Sequence, residues 1–141
     1  MLNEKNMREI KKIIIHCSAT NKEQDFDVED IDRWHKARGW SGVGYHYVIR
    51  LDGTLEYGRP LKETGAHAFG HNKKSIGIMY FGGVDMEGNP SDTRTEAQKR
   101  TLKYLTHFLK KAFPKATIHG HNEFNKGKAC PSFCVKSENY G

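Results

Sequence analysis

The stretch KKIIIHCSA, residues 11–19, sets three consecutive isoleucines between a pair of lysines and a His-Cys-Ser turn. A short β-branched apolar run of this kind reads as a buried strand. Working outward, DVEDIDRWHKARG (27–39) reads as a helix, with Asp27 as N-cap, acids in the first turn and Gly39 at the end. Its Ile31, Trp34 and Arg38 fall on one face at helical spacing. GYHYVIRLDGTLEYGR (44–59) carries a hairpin signal, with Asp52-Gly53 as the turn between two β-rich arms. Strict alternation sets Tyr45, Tyr47 and Ile49 on one face of the first arm and His46, Val48 and Arg50 on the other. SIGIMYFGG (75–83) is another apolar strand, closed by a glycine pair. TEAQKRTLKYLTHFLKKAF (95–113) is the strongest helix, with Thr95 and Gln98 as a capping box and Leu102, Leu105, Leu109 and Ala112 as its apolar stripe. Pro114 stops it, and ATIHGH (116–121) reads as a last short strand. Strands interspersed with two amphipathic helices imply a mixed α/β fold, a central mixed sheet flanked by helices in a single domain.

The 141 residues fit one domain, and 36% hydrophobic with 28% charged residues is ordinary for a soluble globular protein. No apolar run approaches the roughly 18 residues of a membrane span. The first residues lack an apolar h-region and a small-residue cleavage site, so no secretory signal is expected. Three cysteines are too few, and odd in number, for a disulfide framework, which leaves free thiols or metal ligands. A net charge of +6 favours polyanionic partners. Nucleic acid is the weaker reading, because no recognition motif or aromatic–basic stripe accompanies the charge.

The densest chemistry lies in HGHNEFNKGKACPSFC, residues 119–134. His119 and His121 point to one side of the last strand, Cys130 follows across a Gly- and Lys-containing loop, and His16 ends the first strand. Two imidazoles and a thiolate make a zinc shell with one open position, the catalytic pattern. A structural site would need a fourth ligand, for which Cys17, Cys134 and His119 are candidates. The HNE…CPSFC string resembles the zinc deaminase signature, but the cysteine spacing and the position of Pro131 differ and no helix fits between the half-sites. For His35, His46, His71 and His107 the default is a packed or surface imidazole.

Four stretches together carry a more specific signal. IIIHCSAT, WHKARGWSGVGYHYVIRLDGTLEYGR, GAHAFGHNKKSIGIMYFGG and HGHNEFNKGKACPSF resemble, in order, the zinc-dependent N-acetylmuramoyl-L-alanine amidases of bacteriophage lysozyme type. That fold is shared with bacterial amidases and peptidoglycan-recognition proteins. The resemblance implies a single domain over residues 10–138, residues 1–9 forming a poorly ordered extension, and a zinc cleft on one face of the sheet. It implies one Zn2+ ion held by His16, His121 and Cys130, with Tyr45 and Lys128 as the catalytic pair. The H-x-E context favours His121 over His119. His67, Asn72, Trp40 and Arg50 are the implied substrate contacts. The partner would be peptidoglycan, met by a monomer that is made in the cytoplasm and reaches the wall after release, as a phage or prophage lysin does. The rival is a non-catalytic recognition module of the same fold. Such modules commonly lack the ligand cysteine, so Cys130 favours the enzyme.

Overall fold

The computed structural model describes residues 7–140. Its five strands are β1 (Lys12–Cys17), β2 (Tyr47–Ile49), β3 (Leu55–Tyr57), β4 (Ser75–Tyr80) and β5 (Thr117–Gly120). They form one sheet in the order β3-β2-β4-β1-β5. β2, β4, β1 and β5 run parallel, and β3 alone is antiparallel, through the hairpin. β4 lies between β2 and β1, which explains its unbroken apolar character: all six residues are buried.

Two helices cover the two faces. α2 (Glu96–Ala112) opens with the expected capping box: Thr95 Oγ1 accepts from the Gln98 amide at 3.0 Å and Gln98 Oε1 accepts from the Thr95 amide at 2.9 Å. Its Leu102, Leu105 and Leu109 pack on Ile13, Ile15, Ile76 and Ile78. Ala112 does not join them; it is exposed, and the buried stripe takes in Gln98 and Thr106 instead. Gln98 is buried without penalty because its amide donates to the Phe81 carbonyl at 2.9 Å. α1 (Val28–Ala37) is capped by Asp27 in a reciprocal box with Asp30 and packs Ile31 against Val48, Met79 and Phe81 on the opposite face. Among the described residues, no helix is long and apolar enough to cross a membrane.

The face of Tyr45 differs from expectation. Tyr45 packs with Val48 and Phe81, on the α1 side, whereas Tyr47 and Ile49 lie on the α2 side. The chain bends at His46, whose backbone amide donates to the Gly77 carbonyl at 2.9 Å while its Nδ1 accepts from the Gly77 amide at 3.0 Å. That bend interrupts the two-residue alternation and turns Tyr45 towards the ends of the parallel strands. Residues 1–6 of the predicted loose extension lie outside the described residues. Arg8, however, is tied down: its guanidinium donates to the carbonyls of Leu61 at 2.9 Å and Ser75 at 2.7 Å.

Candidate metal centre and cleft

Parallel strands bind ligands beyond their carboxyl ends, and here β1 and β5 end side by side. His16 is the penultimate residue of β1 and alternates with Ile15 and Cys17, so it faces the α1 side while they face α2. His121 follows the last residue of β5 and starts a short 3-10 turn, His121–Glu123. Cys130 returns from the next loop. The ligand-type atoms of His16, His121 and Cys130 all lie within 4.8 Å of one another.

His16 is 1% exposed. Burial, reinforced by His67 and His121, holds its imidazole well below the usual histidine range. His121 is lowered too, first by burial and then by the charge of Lys128. Both rings are therefore neutral near pH 7, the state that offers a lone pair to a cation. Cys130 Sγ accepts from the Cys17 amide at 3.1 Å. Its thiol is pushed up by the hydrogen bond with the Cys17 side chain and by burial, against the Cys17 amide and Lys128, which favour the thiolate. A dication held among two imidazoles and this sulfur would tip that balance to the thiolate.

The trio sits in a cleft of ≈ 760 Å³ whose walls include Tyr45, Lys128, Trp40, His67 and Asn72. The Tyr45 ring lies 5.1 Å from that of His16. Burial, then the neighbouring Cys130, raises the Tyr45 phenol above its ordinary range, so it remains an O–H donor at neutral pH. Lys128 is exposed, at the rim.

Several expected site residues behave otherwise. Arg50 does not line the cleft; its guanidinium is paired with Asp25 at 3.2 Å. It lies just past the end of β2, where Asp25, from the segment before α1, holds it away from the cleft. Asn72 lines the cleft, but its Oδ1 accepts from the amides of His67 and Ala68, both at 2.9 Å, so that atom shapes the loop. His119 is turned away: Nε2 meets Thr117 Oγ1 at 2.6 Å and Nδ1 meets Glu123 Oε1 at 2.9 Å, which occupies both nitrogens. Cys134 is exposed and is no member of the cluster. Cys17 lies by the cleft through its backbone, with its side chain in the α2-side core. Sequence reasoning passed over His35 and Arg38, which line the cleft from α1. His35 Nδ1 accepts from the Gly44 amide at 2.9 Å, and its ring lies 4.5 Å from Trp40 and 5.6 Å from Tyr45. Their three-residue spacing, which puts both on one helical face, is the signal that could have found them.

Residues 6–133 match the family described as N-acetylmuramoyl-L-alanine amidase. An endolysin of Enterobacteria phage K11 is 43% identical over 126 residues, 89% of this chain and 83% of that protein. Among solved structures, the N-acetylmuramoyl-L-alanine amidase LysC from Clostridium intestinale superposes with a TM-score of 0.80 at 30% identity, covering 96% of this chain and 84% of that one. Drosophila PGRP-LB, at 24% identity and a TM-score of 0.76 over 94% of this chain and 80% of that one, shares the fold. With a family match over nearly the whole length and relatives this similar on either side, the chain belongs to the N-acetylmuramoyl-L-alanine amidase family and is a lytic amidase.

Proposed function

We propose that this amidase cleaves the bond between the lactyl group of N-acetylmuramic acid and L-alanine in bacterial peptidoglycan, using one zinc ion held by His16, His121 and Cys130. The observation that carries the reading is the convergence of these three side chains on one floor, with Tyr45 and Lys128 on the walls of the same cleft. The donor set fits zinc: two neutral imidazoles and a sulfur that already accepts a backbone N–H. Three protein ligands, rather than four, match catalytic rather than structural zinc. A bound zinc ion supplies a lowered pKa for water and polarisation of the scissile carbonyl.

The chain's own residues supply the rest. An amide carbonyl gains negative charge as it becomes tetrahedral, and the Lys128 ammonium at the rim offers positive charge to that oxygen. Tyr45, kept as a phenol, donates a hydrogen bond into the cleft and orients the attacking water or the intermediate. Trp40, packed at a tilt against His35 with the Arg38 guanidinium 5.9 Å from its ring centroid, gives an aromatic wall with a cationic edge that suits a sugar bearing a carboxylated peptide. His67 and Asn72 shape the opposite wall.

By its likeness to the phage endolysin, the substrate is taken to be the wall polymer itself, reached after release from the cytoplasm. Action as a monomer is part of the same proposal. Zinc content and clearing of purified walls test the proposal together, with mass spectrometry of the released fragments. New L-alanine amino termini are expected; new reducing sugars, or binding without cleavage, would defeat it.

A further inference from the structure

We propose that His67 is a positioning residue for the metal centre: its Nδ1 accepts the Nε2–H of His16, fixing the His16 tautomer that leaves Nδ1 for the cation. The inference rests on the reading of His16 as a zinc ligand. His16 Nε2 lies 2.8 Å from His67 Nδ1, and the two rings meet edge to face at 4.9 Å. Among the described residues this is the hydrogen bond the His16 ring makes, so Nδ1 is the nitrogen that remains for coordination.

The arrangement around His67 is built to hold it. Its Nε2 lies 3.2 Å from Ser75 Oγ, on the fully buried first residue of β4. The serine hydroxyl accepts as readily as it donates, so it allows Nε2 to carry the proton and Nδ1 to receive that of His16. Its backbone amide is fixed by Asn72 Oδ1 at 2.9 Å. The ring lies flat against the sheet over Gly77, where an added Cβ would come within 2.6 Å of it. Gly65 is similarly confined, its Cβ position lying 2.7 Å from the same ring. Any side chain at Gly77 would displace the imidazole, so the glycine in the middle of a buried strand gains a reason that strand propensity denies it.

Metal-bound histidines usually donate their second N–H to a carboxylate, a carbonyl or water. A neutral imidazole in that place orients His16 without adding negative charge. The Cys130 thiolate then remains the sole anionic ligand, which preserves the electrophilic character of the ion. The expected direct contact between His67 and substrate gives way to this role, because both ring nitrogens are engaged inside the protein.

The test compares wild type, His67→Leu and His67→Asn, the last placing an amide oxygen near the site of Nδ1. Zinc affinity is measured by competition with a chromophoric chelator, and the His16 tautomer by long-range 1H–15N correlation in zinc-loaded protein. Wild type is expected to carry its His16 proton on Nε2. His67→Leu should bind zinc about 10–100-fold more weakly, the usual cost of losing such an outer partner, and His67→Asn should recover most of that loss. A wild-type His16 protonated on Nδ1, or a His67→Leu protein with wild-type zinc affinity, overturns the inference while leaving the zinc reading intact. Wild-type protein that binds no zinc overturns both. If His67→Leu fails to fold, the wild-type tautomer and the Asn variant decide.

Discussion

Replacing Lys128 with alanine removes the ammonium group that, after burial, does most to hold the neighbouring His121 imidazole down. If Lys128 stabilises the developing oxyanion, the loss falls on the transition state rather than on the neutral ground-state amide. Removing one such donor typically costs about 10²–10³ in kcat, ~2.7–4 kcal/mol. Lys128 is exposed in the free protein, where water and salt screen its charge. That exposure selects the lower end, so Lys128→Ala is expected to lose ~100-fold in kcat, about 2.7 kcal/mol, with KM little changed. Lys128→Arg keeps the charge with a different donor geometry and should fall between the two. The assay is clearing of purified cell walls together with release of L-alanine amino termini, with zinc content matched between proteins. Activity of Lys128→Ala within about threefold of wild type at equal zinc, well under the range for a lost oxyanion donor, would refute the role. So would a loss accounted for entirely by missing metal.

Cys130→Ser should lose bound zinc and wall lysis together, whereas Cys134→Ser, altering an exposed thiol outside the cluster, should retain both; metal analysis of the purified variants decides. Burial pushes the His46 imidazole down to about 4 from an ordinary 6.5, with the Glu63 carbonyl opposing and Arg8 and Arg59 adding. Because the unfolded chain then takes up a proton that the folded one refuses, this residue's contribution is intact above pH 6.5 and is lost as pH falls towards 4, by roughly 3 kcal/mol. Urea midpoints across that window should decline more steeply for wild type than for His46→Gln, and parallel declines would remove His46 as the cause.

The parts of the fold legible in the sequence are those set by local chemistry. Asp27 with Asp30, and Thr95 with Gln98, announce their helices because a cap satisfies amides within its own turn. The isoleucine run of β1 announces a strand buried on both sides. Residue types alone offered His16, His119, His121 and Cys130 as ligand candidates, and the resemblance narrowed them to the three whose ligand-type atoms converge, His16, His121 and Cys130; spacing alone leaves His119 level with His121. What separates them is the end of β5: His121 leaves the strand and turns into the cleft, while His119, still in it, is claimed by Thr117 and Glu123. Tyr45 was assigned the wrong face because the bend at His46 depends on Gly77, a residue on another strand. Arg50 was misplaced for a related reason, since its partner Asp25 comes from the segment before α1. Hydrogen bonds between distant segments decided the positions of Tyr45 and Arg50, and no local pattern encodes them.

The same long-range bonds determine whether the metal builds the site or enters one already built. His16 and Cys130 come from opposite ends of the chain, so a zinc ion joining them could in principle be what holds the C-terminal loop. The loop has its own anchors, however. The Tyr80 hydroxyl donates to the Pro131 carbonyl at 2.6 Å inside the core, Ser132 Oγ donates to the Gly83 carbonyl at 2.7 Å, and the Asn122 amide donates to the Cys130 carbonyl at 2.8 Å. Cys17 and Gly83 are pressed together beneath it, with no room for a side chain at Gly83, where an added Cβ would lie 2.4 Å from Cys17 Sγ. These contacts do not involve a cation. Chelation is therefore expected to leave a cooperatively folded protein, unlike a zinc finger. It should lower stability only through the lost binding term, ~4.1 kcal/mol at a thousandfold excess over Kd. Tyr80→Phe tests the anchor directly: it leaves the buried Pro131 carbonyl without its donor, at a cost of about 1–3 kcal/mol. Zinc affinity should fall with it although no ligand has changed. A chelated wild type without a cooperative thermal transition, or a Tyr80→Phe protein with undiminished zinc affinity, would mean that the ion, not the fold, sets the position of Cys130.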